Sequence, residues 1–190
     1  MKIKNQKIIL GSSSPRRSEI LSNMGIKFEV IKSDTSEKYP QHLKDKEISE
    51  YLSMKKSNAI KSRLKNSDLL ITADTIVVYS NKILHKPKNS TEAKVLLKML
   101  SGTKHEVITS VCLTTNQKQS VFSERTVVYF NILSDEMIDY YISLNKSFDK
   151  AGAYGIQDWI GIVGIDKIEG SYTNVVGLPS SKLFLNLLNF

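Results

Sequence analysis

The sequence predicts an α/β fold in which a mixed sheet is flanked by helices. Short apolar runs rich in Val and Ile alternate along the chain with longer segments whose apolar residues recur at helical spacing. In the middle of the chain, two long alternating runs over residues 107–115 and 120–133 follow each other directly, which indicates a hairpin. A hairpin within an otherwise alternating pattern favours a mixed sheet over a purely parallel one.

Length and composition fit one globular domain over residues 1–190. The formal charge of +8 suits an anionic small molecule, and we expect no nucleic-acid partner because no basic stripe contains interleaved aromatics. The single cysteine, Cys112, excludes an internal disulfide and suits a reducing cytosol. The first residues lack the apolar core of a secretory signal, and no apolar run approaches membrane-spanning length. We therefore expect a cytoplasmic protein without a membrane partner.

The first informative stretch predicts a strand over residues 7–10, a small-residue turn over 11–13 and a helix that Ser14 caps. Arg16 and Arg17 fall in the first turn of this helix, where free N–H groups and the helix dipole already make a positive end. Two cations there are unfavourable unless an anion binds. The stretch therefore favours a phosphate cradle over an ordinary surface helix with two solvated arginines.

The following segment predicts a strand over residues 27–32, a polar loop over 33–38 and a helix over 45–64. The loop contains Asp34 and Glu37, whose positions alone indicate solvated acids. The lysines of the helix lie opposite an apolar face, and the residues of that face are Ile48, Tyr51, Leu52, Ala59, Ile60 and Leu64.

Asp74 interrupts an apolar, β-branched run over residues 69–79. A carboxylate within such a run is costly if it is buried without a partner. We therefore expect a metal, a cation or water beside Asp74 at the end of a strand. A local turn or a bulge is the alternative interpretation.

The rest of the chain predicts further elements in the same alternating order. Before the central hairpin they are a hairpin return over residues 81–84 and a helix capped by Asn89 and Glu92. After it come a helix over 135–144 capped by Ser134, a small-residue segment over 149–157 and a strand over 159–168. A last helix begins at Pro179, and the residues that it packs inward are Leu183, Phe184, Leu187 and Leu188. The scattered histidines, His42, His85 and His105, predict surface or strand-end positions and no zinc site.

Four stretches together resemble the Maf family of nucleoside triphosphate pyrophosphatases. They are LGSSSPRRSEIL, ITADTIVV, HKPKNSTEAKVLLKMLSGTKHEVITSV, and DKAGAYGIQ with GSYTNVVGLP, in the family's order and spacing. The resemblance implies a three-layer α/β fold of Maf/ITPase type, with a mixed twisted sheet and two lobes around a cleft, and commonly a homodimer. It also implies hydrolysis between the α- and β-phosphates of a nucleoside triphosphate, with release of the monophosphate and pyrophosphate. A divalent cation such as Mg²⁺, Mn²⁺ or Co²⁺ is implied as cofactor.

Matched residue by residue, the resemblance assigns Ser12, Arg16 and Arg17 to a phosphate-binding turn. It assigns Lys86 to the family's phosphate-binding lysine and Asp74 to the general base. Cations that neutralise a triphosphate and an acid that deprotonates water are chemically suited to this reaction.

The resemblance also raises Glu37 to a metal-binding carboxylate, together with Asp74, because hard metals such as Mg²⁺ prefer carboxylate oxygens. Arg16, Thr75 and Gln157 resemble the set of the family branch that acts on dTTP and UTP. The amide of Gln157 has a donor and an acceptor that can pair with the O4 and N3–H edge of uracil or thymine.

The sequence departs from the family's pattern at two places. Gly11 stands where many members have alanine, a change expected only to loosen the turn, and Asp158 and Trp159 replace the small residues that tend to follow the glutamine. Two other functions remain open at this point. One is the same reaction on a modified purine such as 7-methyl-GTP, and the other is a non-catalytic, nucleotide-sensing regulator of septum formation.

Overall fold

The computed structural model describes residues 6–190, along which helices and strands alternate. The strands are β1 (Lys7–Leu10), β2 (Phe28–Val30), β3 (Asp68–Tyr79), β4 (Lys82–Leu84), β5 (Lys104–Thr114), β6 (Gln119–Phe130) and β7 (Ile165–Glu169). The helices are α1 (Pro15–Asn23), α2 (Lys46–Lys61), α3 (Ser90–Leu100), α4 (Asp135–Ser143), α5 (Trp159–Gly164), α6 (Tyr172–Val176) and α7 (Ser180–Asn189), with a 3₁₀ turn at Ala151–Ala153.

Within residues 6–190 the strands form one seven-stranded sheet in the order β2-β1-β3-β5-β6-β7, and β4 pairs with β3. Strand β1 is parallel to both β2 and β3, whereas β3–β4 and β6–β7 are antiparallel. The sheet is therefore mixed, which confirms the predicted fold class. No helix of this part of the chain is long and apolar enough to span a membrane.

The chain divides into two compact units, and β3, β5 and β6 each contribute residues to both. The first unit comprises the described residues up to Asp74, with Thr109–Glu124 and Gly177–Phe190, and the second comprises Thr75–Ile108 and Arg125–Val176. In the first unit, an apolar cluster joins β1 and β3 to α2 and its C-terminal end through Ile9, Ile60, Leu64 and Leu70.

Helix α1 of the first unit begins as its sequence predicts. Ser14 has extended backbone and its Oγ accepts a hydrogen bond from the Arg17 N–H at 3.5 Å, and Pro15 occupies the first helical position. Gly25 follows the helix with a φ of +72°, a conformation that glycine adopts without strain.

Helix α2 buries a row of serines that hydropathy does not predict. Ser49, Ser53 and Ser57 are fully buried at four-residue spacing. Ser49 Oγ lies 2.6 Å from Ser110 Oγ on β5, so the buried hydroxyls satisfy each other. Ala59, which the helical pattern assigned to the apolar face, is instead exposed.

The second unit has the larger apolar core, to which β3, β6, α3, α4 and the segment before α5 contribute. The predicted caps of its helices are confirmed. Asn89 Oδ1 accepts from the Glu92 N–H at 2.9 Å, and Ser134 Oγ accepts from the Met137 N–H at 3.3 Å. These caps satisfy N–H groups that have no partner within the helix.

The strand predicted over residues 159–168 is wrong in its first half, where the chain forms α5 before it enters β7. A short apolar, β-branched run has no period that separates a buried strand from a buried helical turn. The N–H of Gly161 donates to the Asp158 carbonyl at 2.9 Å. A Cβ at position 161 would lie 2.1 Å from the carbonyl oxygen of Ile156, so only glycine allows this close turn.

The last helix is shifted relative to the prediction. Pro179 precedes α7 rather than beginning it, and Leu183 and Leu187 are buried as predicted. Leu188 is 43% exposed, and the buried aromatic ring at this end belongs to Phe190. Helix α6 was not predicted from the sequence.

Cys112 packs within β5 as predicted and is fully buried, and of the two positions predicted for His105 the structure shows the strand end rather than the surface. His105 lies near the start of β5, is 2% exposed, and places Nε2 2.6 Å from Tyr154 Oη. Burial lowers the pKa of His105 to about 4, so its ring is neutral at physiological pH.

We expect Gly161→Ala to lower the free energy of unfolding by about 3 kcal/mol, because the new methyl group meets backbone rather than a movable side chain. Urea denaturation measures the effect. The matched control is Ile162→Ala on the same helix, which is 75% exposed and should change stability by no more than about 0.5 kcal/mol. A Gly161→Ala protein as stable as the wild type would contradict this explanation of α5.

Candidate active site

Asp74 lies inside the continuous strand β3 and is 5% exposed. The predicted strand end, turn or bulge at this position is therefore not found. The predicted cation is found, because Lys56 on α2 forms an ion pair and a hydrogen bond with Asp74 Oδ1. Burial raises the pKa of Asp74 above its ordinary value, although Lys56 and Arg17 oppose this shift.

Lys56 is the site residue that sequence reasoning missed, since the lysines of α2 were placed opposite the apolar face. It stands four residues after Leu52 and four before Ile60, both of which are buried. Residues at this spacing share one helical face. A lysine within a buried stripe, beside a strand with a buried aspartate, is the sequence signal that identifies the pair.

Ser12 lies in the turn between β1 and α1, and Arg17 lies in the first turn of α1, where phosphate was predicted to bind. The Arg17 guanidinium donates from Nε to the Gly177 carbonyl at 2.8 Å and from Nη1 to Ser12 Oγ at 3.3 Å. Ser12 Oγ also accepts from the Ser14 N–H at 3.2 Å. These bonds fix the direction of the guanidinium and the hydroxyl before any ligand binds.

The charges of this first unit act on one another. Burial lowers the pKa of Arg17, the negative charges of Asp74 and Glu37 oppose that shift, and Arg16 adds to it. Glu37 is exposed in the loop after β2, and its charge raises the pKa of Asp74. The charges of these side chains therefore act on one another, and we refer to them as one electrostatic cluster, whose members are Arg16, Arg17, Glu37, Lys56 and Asp74.

The carboxylates of Asp74 and Glu37 suit a hard divalent cation, because they supply oxygen donors and already repel each other. Within residues 6–190 no group of three or more His, Cys, Asp and Glu side chains is gathered to hold a metal. Two carboxylates are nevertheless sufficient when substrate phosphates provide further ligands, which is the usual mode of Mg²⁺ binding in phosphoryl-transfer sites.

Gly11 packs more tightly than expected from its position in a turn. A Cβ there would lie 2.5 Å from Thr72 Cγ2 and 2.9 Å from Ile60 Cδ1. Glycine therefore does more than loosen the turn, because it lets the backbone approach β3 and α2.

The remaining predicted residues, Thr75, Lys86 and Gln157, belong to the second unit. Thr75 follows Asp74 on β3 and is half-buried, whereas Lys86 and Gln157 are exposed. The segments that carry them are connected, since the Gly152 N–H donates to the His85 carbonyl at 3.3 Å.

We expect Lys56→Met to lower the free energy of unfolding by about 3 kcal/mol at pH 7, because it leaves the buried Asp74 carboxylate without its partner. Without Lys56 the pKa of folded Asp74 rises further above its unfolded value of about 3.9. The deficit should therefore be smallest near pH 4 and grow as the pH rises. Urea denaturation with a chelator present measures it. Lys61→Met, an exposed position on the same helix, is the matched control, and equal stability of both variants at pH 7 would contradict the pairing.

The chain is similar to known proteins along nearly its whole length. A family model described as Maf-like protein matches residues 7–190. A dTTP/UTP pyrophosphatase from Flavobacterium psychrophilum is 49% identical over 188 residues, which is 99% of this chain and 96% of that protein. Proteins of the same name from Flavobacterium johnsoniae and Phocaeicola vulgatus are also 49% identical, over 96% and 97% of this chain and 94% and 96% of theirs.

A solved structure of a nucleoside-triphosphatase / dITP/XTP pyrophosphatase from Mycobacterium abscessus aligns with 15% identity and a TM-score of 0.40, over 66% of this chain and 73% of that chain. The family model and the three relatives cover nearly the whole chain at high identity, and this chain therefore belongs to the Maf family.

Proposed function

We propose that this protein hydrolyses dTTP and UTP to the nucleoside monophosphate and pyrophosphate. The observation that carries the proposal is the buried Asp74 carboxylate, paired with Lys56 and electrostatically coupled to Arg17 and Glu37. The names of the Maf relatives supply the substrate class. An acid beside several cations is the arrangement that water attack on a polyanionic substrate requires.

Asp74 acts as the general base in this proposal. Its carboxylate takes a proton from water, and the water oxygen bonds to the α-phosphorus. The bond between the α-phosphorus and the oxygen that bridges the α- and β-phosphates breaks, and this oxygen leaves with pyrophosphate. A raised pKa makes Asp74 a stronger base than an ordinary aspartate. Lys56 opposes this effect of burial and thereby favours the ionised form of the carboxylate.

The phosphates bind at the turn between β1 and α1. Ser12 and Arg17 offer a hydroxyl and a guanidinium whose directions are already fixed, and Arg16 adds a second positive charge. Preorganised donors stabilise developing negative charge because they need no rearrangement during the reaction. Lys86 of the second unit is proposed as a further phosphate ligand.

Glu37 and Asp74 would hold the divalent cation, Mg²⁺, Mn²⁺ or Co²⁺. When bound, the metal neutralises phosphate charge and polarises the phosphoryl oxygens. Glu37 is exposed, whereas Asp74 is buried and paired with Lys56.

Base recognition is assigned to Gln157 and Thr75. The exposed amide of Gln157 can donate to O4 and accept from N3–H of uracil or thymine, a pattern that cytosine reverses. A nucleotide panel distinguishes this specificity from action on a modified purine such as 7-methyl-GTP. We further propose that residues 1–190 work as a single Maf domain in a cytoplasmic homodimer and without nucleic acid.

We expect Asp74→Asn to reduce Mg²⁺-dependent release of pyrophosphate from dTTP by about 10²- to 10⁴-fold, because the amide cannot accept the proton of water. A coupled pyrophosphate assay with purified protein measures the rate, and circular dichroism verifies the fold. The control is Asp34→Asn, an exposed acid in the same loop as Glu37, which should keep full activity. Undiminished turnover by the Asp74→Asn protein would refute the role of the base. Wild-type protein that binds nucleotide without releasing pyrophosphate would support a regulatory function instead.

A further inference from the structure

Gln157 sits in a tight turn formed by Gly155–Asp158. The N–H of Asp158 donates to the Gly155 carbonyl at 3.0 Å, which closes the turn. Ile156 points into the apolar core of the second unit, while Gln157 is exposed. The direction in which the Gln157 side chain leaves the backbone therefore depends on what holds the two ends of this turn.

One hydroxyl group holds both ends. Tyr141 Oη accepts a hydrogen bond from the Gly155 N–H at 3.2 Å and donates one to Asp158 Oδ2 at 2.9 Å. The ring of Tyr141 is fully buried in the core of the second unit, so the packing of the core fixes the position of its hydroxyl. Burial, and then the charge of Asp158, raise the pKa of Tyr141, and its hydroxyl therefore keeps its proton at physiological pH.

Lys150 is a second partner of the Asp158 carboxylate. Its Nζ lies 3.2 Å from the same Asp158 Oδ2, and the side chains of Lys150 and Asp158 are only 9% and 11% exposed. The acid that departs from the family's pattern after the glutamine is thus turned inward and paired. Such partly buried, charge-assisted bonds hold a side chain more firmly than exposed ones.

The backbone around the turn fits this arrangement closely. A Cβ at Gly155 would lie 2.5 Å from Asp158 Oδ2, so the carboxylate occupies space that only glycine leaves open. Ala153 has a φ of +65°, an unfavourable conformation for alanine that persists only where the surroundings enforce it. The segment is therefore fixed by its contacts rather than by local preference.

We propose that Tyr141 and Asp158 are positioning residues for base selectivity, because they hold the turn that orients the Gln157 amide toward the nucleobase. The inference rests on the proposed function, in which Gln157 reads the base. An amide distinguishes thymine from cytosine only if its donor and acceptor are held in place, since free rotation would present either group to either base. The hydroxyl bridge holds the backbone from which the amide projects, and so limits the positions that the amide can take toward the base.

The test is Tyr141→Phe, which keeps the buried ring and removes only the bridging hydroxyl. We expect the ratio of kcat/KM for dTTP to kcat/KM for dCTP to fall about tenfold, the size of change expected for loss of one buried polar coupling. Tyr140→Phe is the matched control on the same helix. Its ring packs on Trp159 with a centroid distance of 4.8 Å, and the ratio should not change.

A second background separates positioning from general damage to the fold. In Gln157→Ala protein, whose own selectivity should be low, adding Tyr141→Phe should change the ratio no further. A further tenfold fall in that background, or an unchanged ratio in folded Tyr141→Phe protein, would overturn the inference. If Tyr141→Phe fails to fold, Asp158→Asn is the variant that tests the proposal. It retains the shape of the side chain and loses the negative charge that forms the ion pair with Lys150. That variant should also lower the ratio, and an unchanged ratio overturns the proposal.

Different results would contradict the proposed function on which this inference rests. Wild-type protein that releases no pyrophosphate contradicts the reaction itself. Wild-type selectivity that Gln157→Ala leaves intact contradicts the base-reading role, and the positioning role with it. Only a selective wild type and a non-selective Gln157→Ala protein, combined with a Tyr141→Phe protein of lowered selectivity, support the inference.

Discussion

The arrangement of the first unit depends on the ion pair between Asp74 and Lys56. A carboxylate inside a buried strand is costly without a cation, so α2 must present Lys56 to β3. The row of buried serines on the same helix is compatible with this requirement, because small residues let the helix lie close to the sheet, and Ser49 and Ser57 bond to hydroxyl groups of β5. Arg17 and Glu37 join the same cluster through their charges, and the chemistry proposed for the protein follows from that cluster.

The two units use different means to fix their functional residues. In the first, charged groups hold one another, and Arg17 is directed by a carbonyl and a hydroxyl. In the second, the neutral amide of Gln157 has no charge to form an ion pair. The turn that carries it is held instead by the buried Tyr141 hydroxyl and the Asp158 carboxylate, which occupies the space that a Cβ at Gly155 would fill. This difference suits the tasks proposed for them, since phosphate binding depends on charge and base recognition depends on direction.

Much of the fold could be predicted because its signals are local. The caps Ser14, Asn89 and Ser134 accept hydrogen bonds from N–H groups of their own helices. The alternation of apolar and polar residues that predicted the central hairpin is likewise a property of each strand by itself. Helix α5 could not be predicted, because the contact of Gly161 with the Ile156 carbonyl exists only in the folded chain. The site was predicted in part. The cost of burying Asp74 indicated a cation, but helical hydropathy assigns a lysine to the solvent side even when its spacing places Lys56 between buried residues.

In the proposed reaction the triphosphate is cleaved beside the charged residues around Asp74. A crystal structure with Mg²⁺ and a dTTP analogue whose α–β bridging oxygen is replaced by an imido group would show whether it binds there. We expect phosphate oxygens within about 3 Å of the Arg17 guanidinium and the Ser12 hydroxyl, with the α–β linkage facing the Asp74 carboxylate. A nucleotide bound elsewhere on the protein, with Arg17 and Asp74 untouched, would contradict it.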